Sequence, residues 1–326
     1  MLCRRNALML RIAGFLIFLS VLLSVLPIRP ALSADAYKPA RAAFQVSVDG
    51  VDIPYRQMAI FALPGGRLAI RTGVKAELRA ETGEIIQVTP RRFGWVVPDR
   101  TGPHTVKVVA SGKTVDLTVI VMRPMEDVKD GVIDGYVIGS YPENPYKGLS
   151  VYERPPGLIE VTPELVDLPV SPHFRLGQFL CKQPAGWPKF VVLRTELLIK
   201  LERVLEAVNA RGWNTATFEV MSGYRTPHYN RSIGNGPNSR HIYGGAADIF
   251  IDVRPKDDRM DDLDGDGKVT KKDALALYNL IEELEGREKR TWMPGGLGAY
   301  GSTASHGPFI HIDARGFIAR WGVAPL

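Results

Sequence analysis

The sequence predicts an α+β protein in which an all-β region precedes a mixed region of helices and strands. From Phe44 to about Arg123, short alternating or β-branched runs are separated by Gly, Pro and Asp turns, which is typical of an all-β domain. Helical periodicity begins only at Thr195. A chain of 326 residues exceeds the size at which a single hydrophobic core is usual, so two domains are expected.

The N-terminus has the pattern of a secretory signal peptide. Arg4, Arg5 and Arg11 precede an apolar run over residues 12–27, and small residues surround Ala34 and Ala36. The run is shorter than the about 20 residues of a membrane-spanning helix. We therefore predict a signal peptide over residues 1–34 and an exported protein, periplasmic or in the cell envelope. An uncleaved N-terminal anchor is the alternative, and it would be the only membrane contact.

Charge and cysteine content narrow the class further. The formal net charge is +6, but residues 1–34 hold four arginines and no acid, so the rest of the chain has 37 basic and 35 acidic residues. This balance gives no argument for nucleic-acid binding. Cys181 is the single cysteine after the predicted signal peptide, so the mature chain can form no internal disulfide.

Residues 35–124 are predicted to form a small sandwich of immunoglobulin-like type. Two runs, 105–110 and 114–121, flank a Ser-Gly-Lys turn and predict a hairpin, and turns recur about every ten residues. We interpret the region as a binding or spacing module. Residues 125–162 are rich in Gly, Pro and Tyr and are interpreted as an ordered linker. This linker either packs along a groove of the following domain or is a plain connection.

The first helix is predicted from Thr195, as its cap, to the Arg211-Gly212 pair. Its apolar positions follow a 3.6-residue period, so one face is buried. A strand over residues 217–221 then brings the polar run 222–227 to a strand end, a usual place for a functional site.

Three polar residues after this strand have the character of metal ligands. His241 and Asp248 lie seven residues apart across a Gly244-Gly245 turn, and His311 lies in a strand-like segment. Neutral imidazole and carboxylate groups suit Zn²⁺, and three protein ligands leave a fourth tetrahedral position for the water of a hydrolase.

The motifs in this region resemble those of a known enzyme family. They are Ser222-Gly223-Tyr224-Arg225, Ser239-x-His241-x-x-Gly244-x-Ala246-x-Asp248 and His311-x-Asp313, with Ser171-Pro172-His173-Phe174 upstream. Together they resemble the zinc D-alanyl-D-alanine carboxypeptidases and murein endopeptidases of the Hedgehog/D,D-peptidase superfamily. The resemblance covers residues 163–326.

The resemblance implies a catalytic Zn²⁺ held by His241, Asp248 and His311, and an Arg225 that holds a substrate carboxylate or carbonyl. A planar guanidinium suits that task because it can donate two parallel hydrogen bonds. Asp313 follows His311 by two residues, so on a strand both face the same side, and Asp313 is predicted to orient a ligand.

The chain departs from the family pattern at the general base. Some family members place the base as His-x-His or Glu-x-x-His before the last ligand, and here those positions hold Phe309 and Pro308. Neither accepts a proton. His306, across a Gly-Pro bend, is the candidate base, with a substrate-binding or structural role as the alternative.

Residues 262–273 fit the loop of an EF-hand and predict a second metal site, for Ca²⁺. The predicted ligands are Asp262, Asp264, Asp266, the Lys268 carbonyl, Thr270 and Asp273. Asp273 replaces the usual bidentate Glu, and the loop is single, which favours a structural role for calcium. A solvated acidic turn that caps the following helix is the alternative.

The expected function is zinc-assisted hydrolysis of peptidoglycan stem peptides, as the resemblance implies for an exported protein. The extra β-module and the aromatic linker favour a polymeric substrate, and so a cross-link endopeptidase over a D-Ala-D-Ala carboxypeptidase. Two other classes stay open: a catalytically inactive zinc-containing cell-wall-binding module, and a calcium-dependent adhesion or scaffold protein.

Overall fold

The computed structural model describes residues 36–289 and 291–323. The predicted signal peptide lies outside this range. Within the described part of the chain, none of the helices is long and apolar enough to cross a membrane. From Ala36 onward the chain forms one compact unit.

Two sheets make up the first half of this unit. Their strands are β1 (Val46–Val48), β2 (Val51–Asp52), β3 (Gln57–Ala62), β4 (Arg67–Thr72), β5 (Glu77–Ala80), β6 (Glu84–Thr89), β7 (Arg92–Val96), β8 (Gly102–Ala110) and β9 (Lys113–Val121). One sheet has the order β2-β1-β4-β7-β6 and the other the order β3-β9-β8-β5. Alternate residues of β4 are buried, as a sheet with one face on a core requires. The immunoglobulin-like type of this region stays a prediction.

The predicted hairpin is present as β8 and β9. Ser111 and Gly112 connect the strands with φ angles of 48° and 70°. Positive φ at both positions is the geometry of a type I′ turn, which matches the twist of paired strands.

Short elements fill residues 123–191. They are β10 (Arg123–Pro124), β11 (Val132–Ile133), β12 (Tyr136–Val137), β13 (Gly157–Val161) and β14 (Lys189–Val191), with several 3₁₀ turns between them. The β13 strand pairs with β10 on one side and β14 on the other. Backbone hydrogen bonds tie this segment to both halves: the Ala59 amide of β3 donates to the Val170 carbonyl at 2.7 Å, and the His228 amide of the second half donates to the Ile138 carbonyl at 2.9 Å. Buried side chains from both halves form one hydrophobic core. The domain boundaries near residues 124 and 162 stay predictions.

A mixed sheet, two long helices and one short helix form the second half. The helices are α1 (Thr195–Ala210), α2 (Pro227–Ser232) and α3 (Lys271–Arg287); the strands are β15 (Glu219–Ser222), β16 (Ala246–Phe250), β17 (Gly296–Tyr300), β18 (Phe309–Asp313) and β19 (Ala319–Trp321). The sheet order is β15-β16-β18-β17-β19. This mixture of strands and helices agrees with the α+β class.

The α1 helix begins and ends where its sequence predicts, but Thr195 plays a different part. Arg194 occupies the cap position without a side-chain cap bond, and the buried Thr195 hydroxyl instead donates to the Ala59 carbonyl at 2.9 Å. Thr195 therefore joins α1 to β3 of the first half. Ala59, the partner that decides the role of Thr195, is far from it in the sequence.

Candidate metal centre

The register of the mixed sheet places one residue from each of its five strands in a row. Ser222 pairs with Asp248, Asp248 with His311, His311 with Gly298, and Gly298 with Trp321. Directly opposed residues point to the same face of a sheet. Two of the predicted ligands, Asp248 and His311, are thus neighbours on one face.

The third ligand, His241, comes from a 3₁₀ turn over Arg240–Tyr243 that ends at Gly244. Gly244 has a φ of +64°, and a Cβ atom there would lie 2.4 Å from the Val192 carbonyl oxygen. Only glycine fits such a left-handed position against backbone. The turn folds the chain back into β16, so that His241 lies over Asp248.

The structure brings one atom of each predicted ligand together. His241 Nε2 lies 3.2 Å from His311 Nδ1 and 3.2 Å from Asp248 Oδ1, and His311 Nδ1 lies 2.9 Å from Asp248 Oδ1. All three side chains are buried. Ligand atoms at about 2.0–2.1 Å from a tetrahedral zinc are about 3.3 Å apart, so the triangle is close to the size that zinc requires.

The outer hydrogen bonds of the two rings fix which nitrogen faces the centre of the triangle. His241 Nδ1 lies 2.7 Å from the Gly223 carbonyl oxygen, and His311 Nε2 lies 3.1 Å from Asp313 Oδ2. Carbonyl and carboxylate oxygens accept, so these nitrogens donate and the neutral rings turn lone pairs inward. Three acceptors therefore meet. A proton could bridge only two of them, whereas a cation satisfies all three.

The electrostatics of the site favour the ligand forms of His241 and Asp248, but not that of His311. Burial lowers the pKa of His241 below its usual value, which favours the neutral ring. Burial alone would raise the pKa of Asp248, but the adjacent His241 and His311 hold it well below its usual range. Burial would lower the pKa of His311, but the carboxylates of Asp248 and Asp313 raise it above its usual value. Metal ions bind neutral imidazole and ionised carboxylate, so a metal ion at this site competes with a proton on His311.

Arg225 lies beside the ligands and is tied to one of them. Its Nη2 donates to Asp248 Oδ2, and its Nε donates to Ser222 Oγ at 2.8 Å. Nη1 has no recorded partner among residues 36–289 and 291–323. Arg225 therefore orients Asp248 and still has one donor that a substrate oxygen could use.

Asp313 is fully buried and is held by several donors besides His311. Its carboxylate accepts from the Gly296 amide at 2.7 Å and from the guanidinium and amide of Arg315. With so many donors, the pKa of Asp313 is held well below its usual range despite burial. An ionised Asp313 keeps the proton of His311 on Nε2, so it acts as the orienting carboxylate.

A buried lysine contacts the backbone of Asp313. Lys200 of α1 donates through Nζ to the Asp313 carbonyl at 2.8 Å and to the Met293 carbonyl at 3.1 Å. Its ammonium also lies 4.7 Å from the centre of the Trp292 ring. Burial lowers the pKa of Lys200 to about 8. The helix thereby fixes the end of β18.

The aromatic linker packs against the turn that carries His241. The guanidinium of the buried Arg240 lies over the Tyr152 ring at 4.6 Å and over the Tyr243 ring at 5.2 Å, and it donates to the Val151 carbonyl. Tyr141 also hydrogen-bonds Tyr224 at 3.0 Å. These linker contacts brace the ligand-bearing turn. The tyrosine-rich composition of the linker was the one feature of the sequence that indicated these contacts.

His306 is near the site but does not join the three ligands. Its ring contacts Phe309 edge-on at 4.9 Å, and its Nδ1 donates to the Gly307 carbonyl at 2.8 Å. In the neutral ring this leaves Nε2 as an acceptor. Among the described residues, no hydrogen bond or ring contact joins His306 to His241, Asp248 or His311. Its role as the base stays a prediction.

Two aromatic residues beside the ligands were not predicted. Trp321 lies 5.1 Å from the His311 ring, measured between centres, and donates to the Tyr300 hydroxyl at 2.7 Å. They belong to β19 and β17, and only the pairing of those strands with β18 brings them here.

The predicted calcium loop gathers three of its six ligand residues. Carboxylate oxygens of Asp262, Asp264 and Asp273 lie within 4.8 Å of one another. Asp273 is buried, accepts the Leu263 and Thr270 amides, and completes a capping box at the start of α3. The capping role of the alternative interpretation is therefore present beside the candidate ligand cluster.

The other three predicted calcium ligands have different recorded contacts. Asp266 forms an ion pair with Lys272 at 3.1 Å. The Thr270 hydroxyl accepts from the Lys272 amide, and the Lys268 amide donates to Asp266.

Residues 172–260 match the family model described as Peptidase M15. The matched segment contains Arg225, His241 and Asp248 and ends before His311. No curated protein matches the chain. M15 peptidases are typically zinc-dependent, and the His-Asp-His group provides ligands that suit zinc. The match supports a metallopeptidase related to the D-alanyl-D-alanine carboxypeptidases.

Proposed function

We propose that the protein is an exported zinc metallopeptidase that hydrolyses peptidoglycan stem peptides. The observation that carries the proposal is the meeting of three buried acceptor atoms, from His241, Asp248 and His311, at the separations of a tetrahedral site. The M15 match over residues 172–260 supports the reaction class, since it includes two of these ligands.

A bound Zn²⁺ supplies Lewis acidity, which polarises a scissile carbonyl and activates water. The chain's own residues prepare the site for it. Gly223 and Asp313 orient the two imidazoles, and Arg225 orients Asp248. The remaining donor of Arg225 is available to hold a substrate carboxylate or carbonyl next to the ligands.

We favour cross-link endopeptidase activity over removal of a terminal D-Ala. A cavity of about 610 Å³ lies between the linker, at Ser140–Tyr146, and the segment from Pro227 to Ile242. Ile242, one of the residues that line this cavity, follows the ligand His241 in the chain. The aromatic linker beside the cavity and the first two sheets add surface to the protein, which supports a cross-linked polymer over a free dipeptide end as the substrate.

An inactive zinc-containing cell-wall-binding module is the alternative function. The observation in its favour is that Pro308 and Phe309 occupy the base positions of the family. His306 has a free acceptor nitrogen but no contact with the three ligands among the described residues.

Incubation of the purified protein with murein sacculi, with and without zinc, followed by separation of muropeptides, tests the proposal. We expect new muropeptides only with zinc, and none from His241→Ala. His228→Ala is the matched control, because His228 is exposed and outside the ligand set. Products that are the same for His241→Ala as for the wild type would contradict the proposal.

The same assay distinguishes the alternatives. Conversion of cross-linked muropeptides to uncross-linked ones without release of free D-Ala indicates an endopeptidase. Release of free D-Ala indicates a carboxypeptidase. Retention on sacculi without any new muropeptide would leave the wall-binding module as the function.

We also propose that the loop over residues 262–273 binds calcium as a structural ion. The three grouped carboxylates support this, since oxygen ligands at this spacing suit Ca²⁺. Calcium should raise the thermal midpoint of the zinc-loaded protein, and Asp262→Asn should abolish the increase. An unchanged midpoint after calcium is chelated, with zinc retained, would contradict it.

A further inference from the structure

The face of the sheet that carries Asp248 and His311 continues into an aromatic surface. Gly298 lies opposite His311 in the pairing of β17 with β18, and Tyr300 lies opposite Phe309. Residues two apart on a strand share a face, so Tyr300 and Phe309 are on the same side as His311. The Tyr300 and Phe309 rings are stacked, with centres 4.6 Å apart and planes 6° apart.

Trp321 completes this aromatic surface because Gly298, the residue opposite it on β17, has no side chain. A Cβ atom at Gly298 would lie 2.1 Å from the Trp321 indole nitrogen. The indole therefore lies across Gly298 and reaches the His311 ring, 5.1 Å away between centres. The indole approaches the backbone of Gly298 closely, so any larger residue at position 298 would displace the indole.

The hydrogen bond between the two aromatic residues has a defined direction. An indole N–H can only donate, so Trp321 Nε1 donates to the Tyr300 hydroxyl oxygen at 2.7 Å. The hydroxyl proton of Tyr300 must then point elsewhere. Within residues 36–289 and 291–323 no acceptor for it is recorded, and the Tyr300 side chain is 38% exposed. The hydroxyl is a positioned donor that faces solvent beside the metal centre.

We propose that Tyr300 is a catalytic residue whose hydroxyl donates a hydrogen bond to the scissile carbonyl oxygen of the bound peptide, and that Trp321 is the residue that positions it. This inference rests on the proposed peptidase function. It assigns a role to two residues outside the ligand set and outside the segment that matches the M15 family.

The role follows from the charge changes in peptide hydrolysis. When water adds to the carbonyl carbon, negative charge develops on the carbonyl oxygen, and a positioned donor stabilises that charge. The C–N bond then breaks and the departing amine takes a proton that originates from the water. Tyr300 retains its own proton throughout, so the step requires no base at position 300.

The phenol is in the right form for this role. Burial raises the pKa of Tyr300, the bond from Trp321 opposes that rise, and the negative Asp248 adds to it, so the net pKa lies above the usual value. The hydroxyl is protonated at neutral pH. Trp321 contacts both the Tyr300 hydroxyl and the His311 ring, which places the phenol beside the candidate ligands.

Tyr300→Phe tests the inference, since it keeps the ring stacked on Phe309 and removes only the hydroxyl. Tyr37→Phe is the matched control, because the Tyr37 ring is also stacked on another ring, that of His173, and lies outside the cavity and the metal centre. We expect Tyr300→Phe to lower kcat on muropeptides about 100-fold, as for other lost donors to a developing oxyanion. Trp321→Phe, which lacks the donor nitrogen, should lower kcat in the same direction.

Two measurements that do not depend on turnover complete the test. Zinc affinity, from competition with a chelator, should be the same for Tyr300→Phe and the wild type. The affinity for a phosphinate peptide, which mimics the tetrahedral carbon and its negative oxygens, should fall in proportion to kcat. The control Tyr37→Phe should match the wild type in both.

The outcomes separate this inference from the proposed function. A wild-type protein that cleaves muropeptides, with Tyr300→Phe equal to it in kcat and in phosphinate affinity, would overturn the role of Tyr300 and leave the peptidase function in place. A loss of zinc affinity that accounts for the whole loss of kcat would also overturn it. A wild type without zinc-dependent cleavage would instead overturn the proposed function.

Discussion

Arg225 donates to Oδ2 of Asp248, while Oδ1 of the same carboxylate faces His241 and His311. The guanidinium therefore sets the rotation of the carboxylate and compensates its charge in a buried place. Charge-assisted bonds of this kind are about twice as strong as neutral ones. Arg225 prepares a ligand in addition to any contact with substrate.

We predict that Arg225→Gln weakens zinc binding about 10- to 100-fold and lowers kcat, because residues that orient metal ligands have effects of this size. Chelator competition measures the first effect and muropeptide release the second. Arg71→Gln is the control, since Arg71 is exposed on β4 and far from the cavity and the ligands. If Arg225→Gln raised only KM at full zinc occupancy, Arg225 would act on substrate alone.

We predict that Asp313→Asn weakens zinc binding by a similar factor of about 10 to 100. The amide can present an N–H to His311 Nε2, which favours the ring form with a proton on Nδ1, the nitrogen that faces the metal centre. Chelator competition at neutral pH measures the effect. Thermal unfolding of the metal-free variant and wild type is the control for folding. Equal zinc affinity for the variant and the wild type would contradict the orienting role.

We predict that Gly244→Ala destabilises the protein by at least about 2 kcal/mol, because alanine is strained at positive φ and its Cβ would meet the Val192 carbonyl. Gly286→Ala is the control. Gly286 lies in α3 with open space around it, so alanine there should stabilise by about 0.5–1 kcal/mol. Denaturant unfolding measures both, and equal effects would refute the close-approach argument.

The buried Lys200 predicts a pH dependence of stability. Its pKa is lowered to about 8 in the folded protein and is about 10.4 in an unfolded chain. Between these values the unfolded state binds more protons, so the free energy of unfolding should rise with pH, by up to about 3 kcal/mol. Below pH 8 the cost of burying the charged ammonium is present in full.

Lys200→Met should remove that rise while keeping the volume of the side chain. Urea unfolding of the two proteins from pH 7 to pH 10 measures the difference in slope. The assignment would be contradicted if the free energy of unfolding of the wild type changed with pH over this range in the same way as that of Lys200→Met.

The metal centre and part of the fold could be predicted because their signals are local. The α1 helix follows from a 3.6-residue apolar period, and the hairpin of β8 and β9 follows from a Ser-Gly turn between β-branched runs. Among the candidate metal ligands, His241 and Asp248 flank the Gly244-Gly245 turn, whereas His311 lies 63 residues beyond Asp248. Residue type and the family resemblance, more than spacing alone, predicted the set. The helix α2 was not predicted: it spans six residues, too few to show a period.

The sequence by itself determined which residue types can bind a metal, that a Gly-Gly turn precedes Asp248, and that Pro308 and Phe309 cannot serve as bases. Only the tertiary structure decided which nitrogen of each histidine faces the metal centre and which oxygen of Asp248 Arg225 holds. It also placed Trp321 across Gly298 and joined it to Tyr300. The physical reason is that these relations depend on strand register and on hydrogen bonds between residues distant in the chain, whereas periodicity and spacing report only on neighbours.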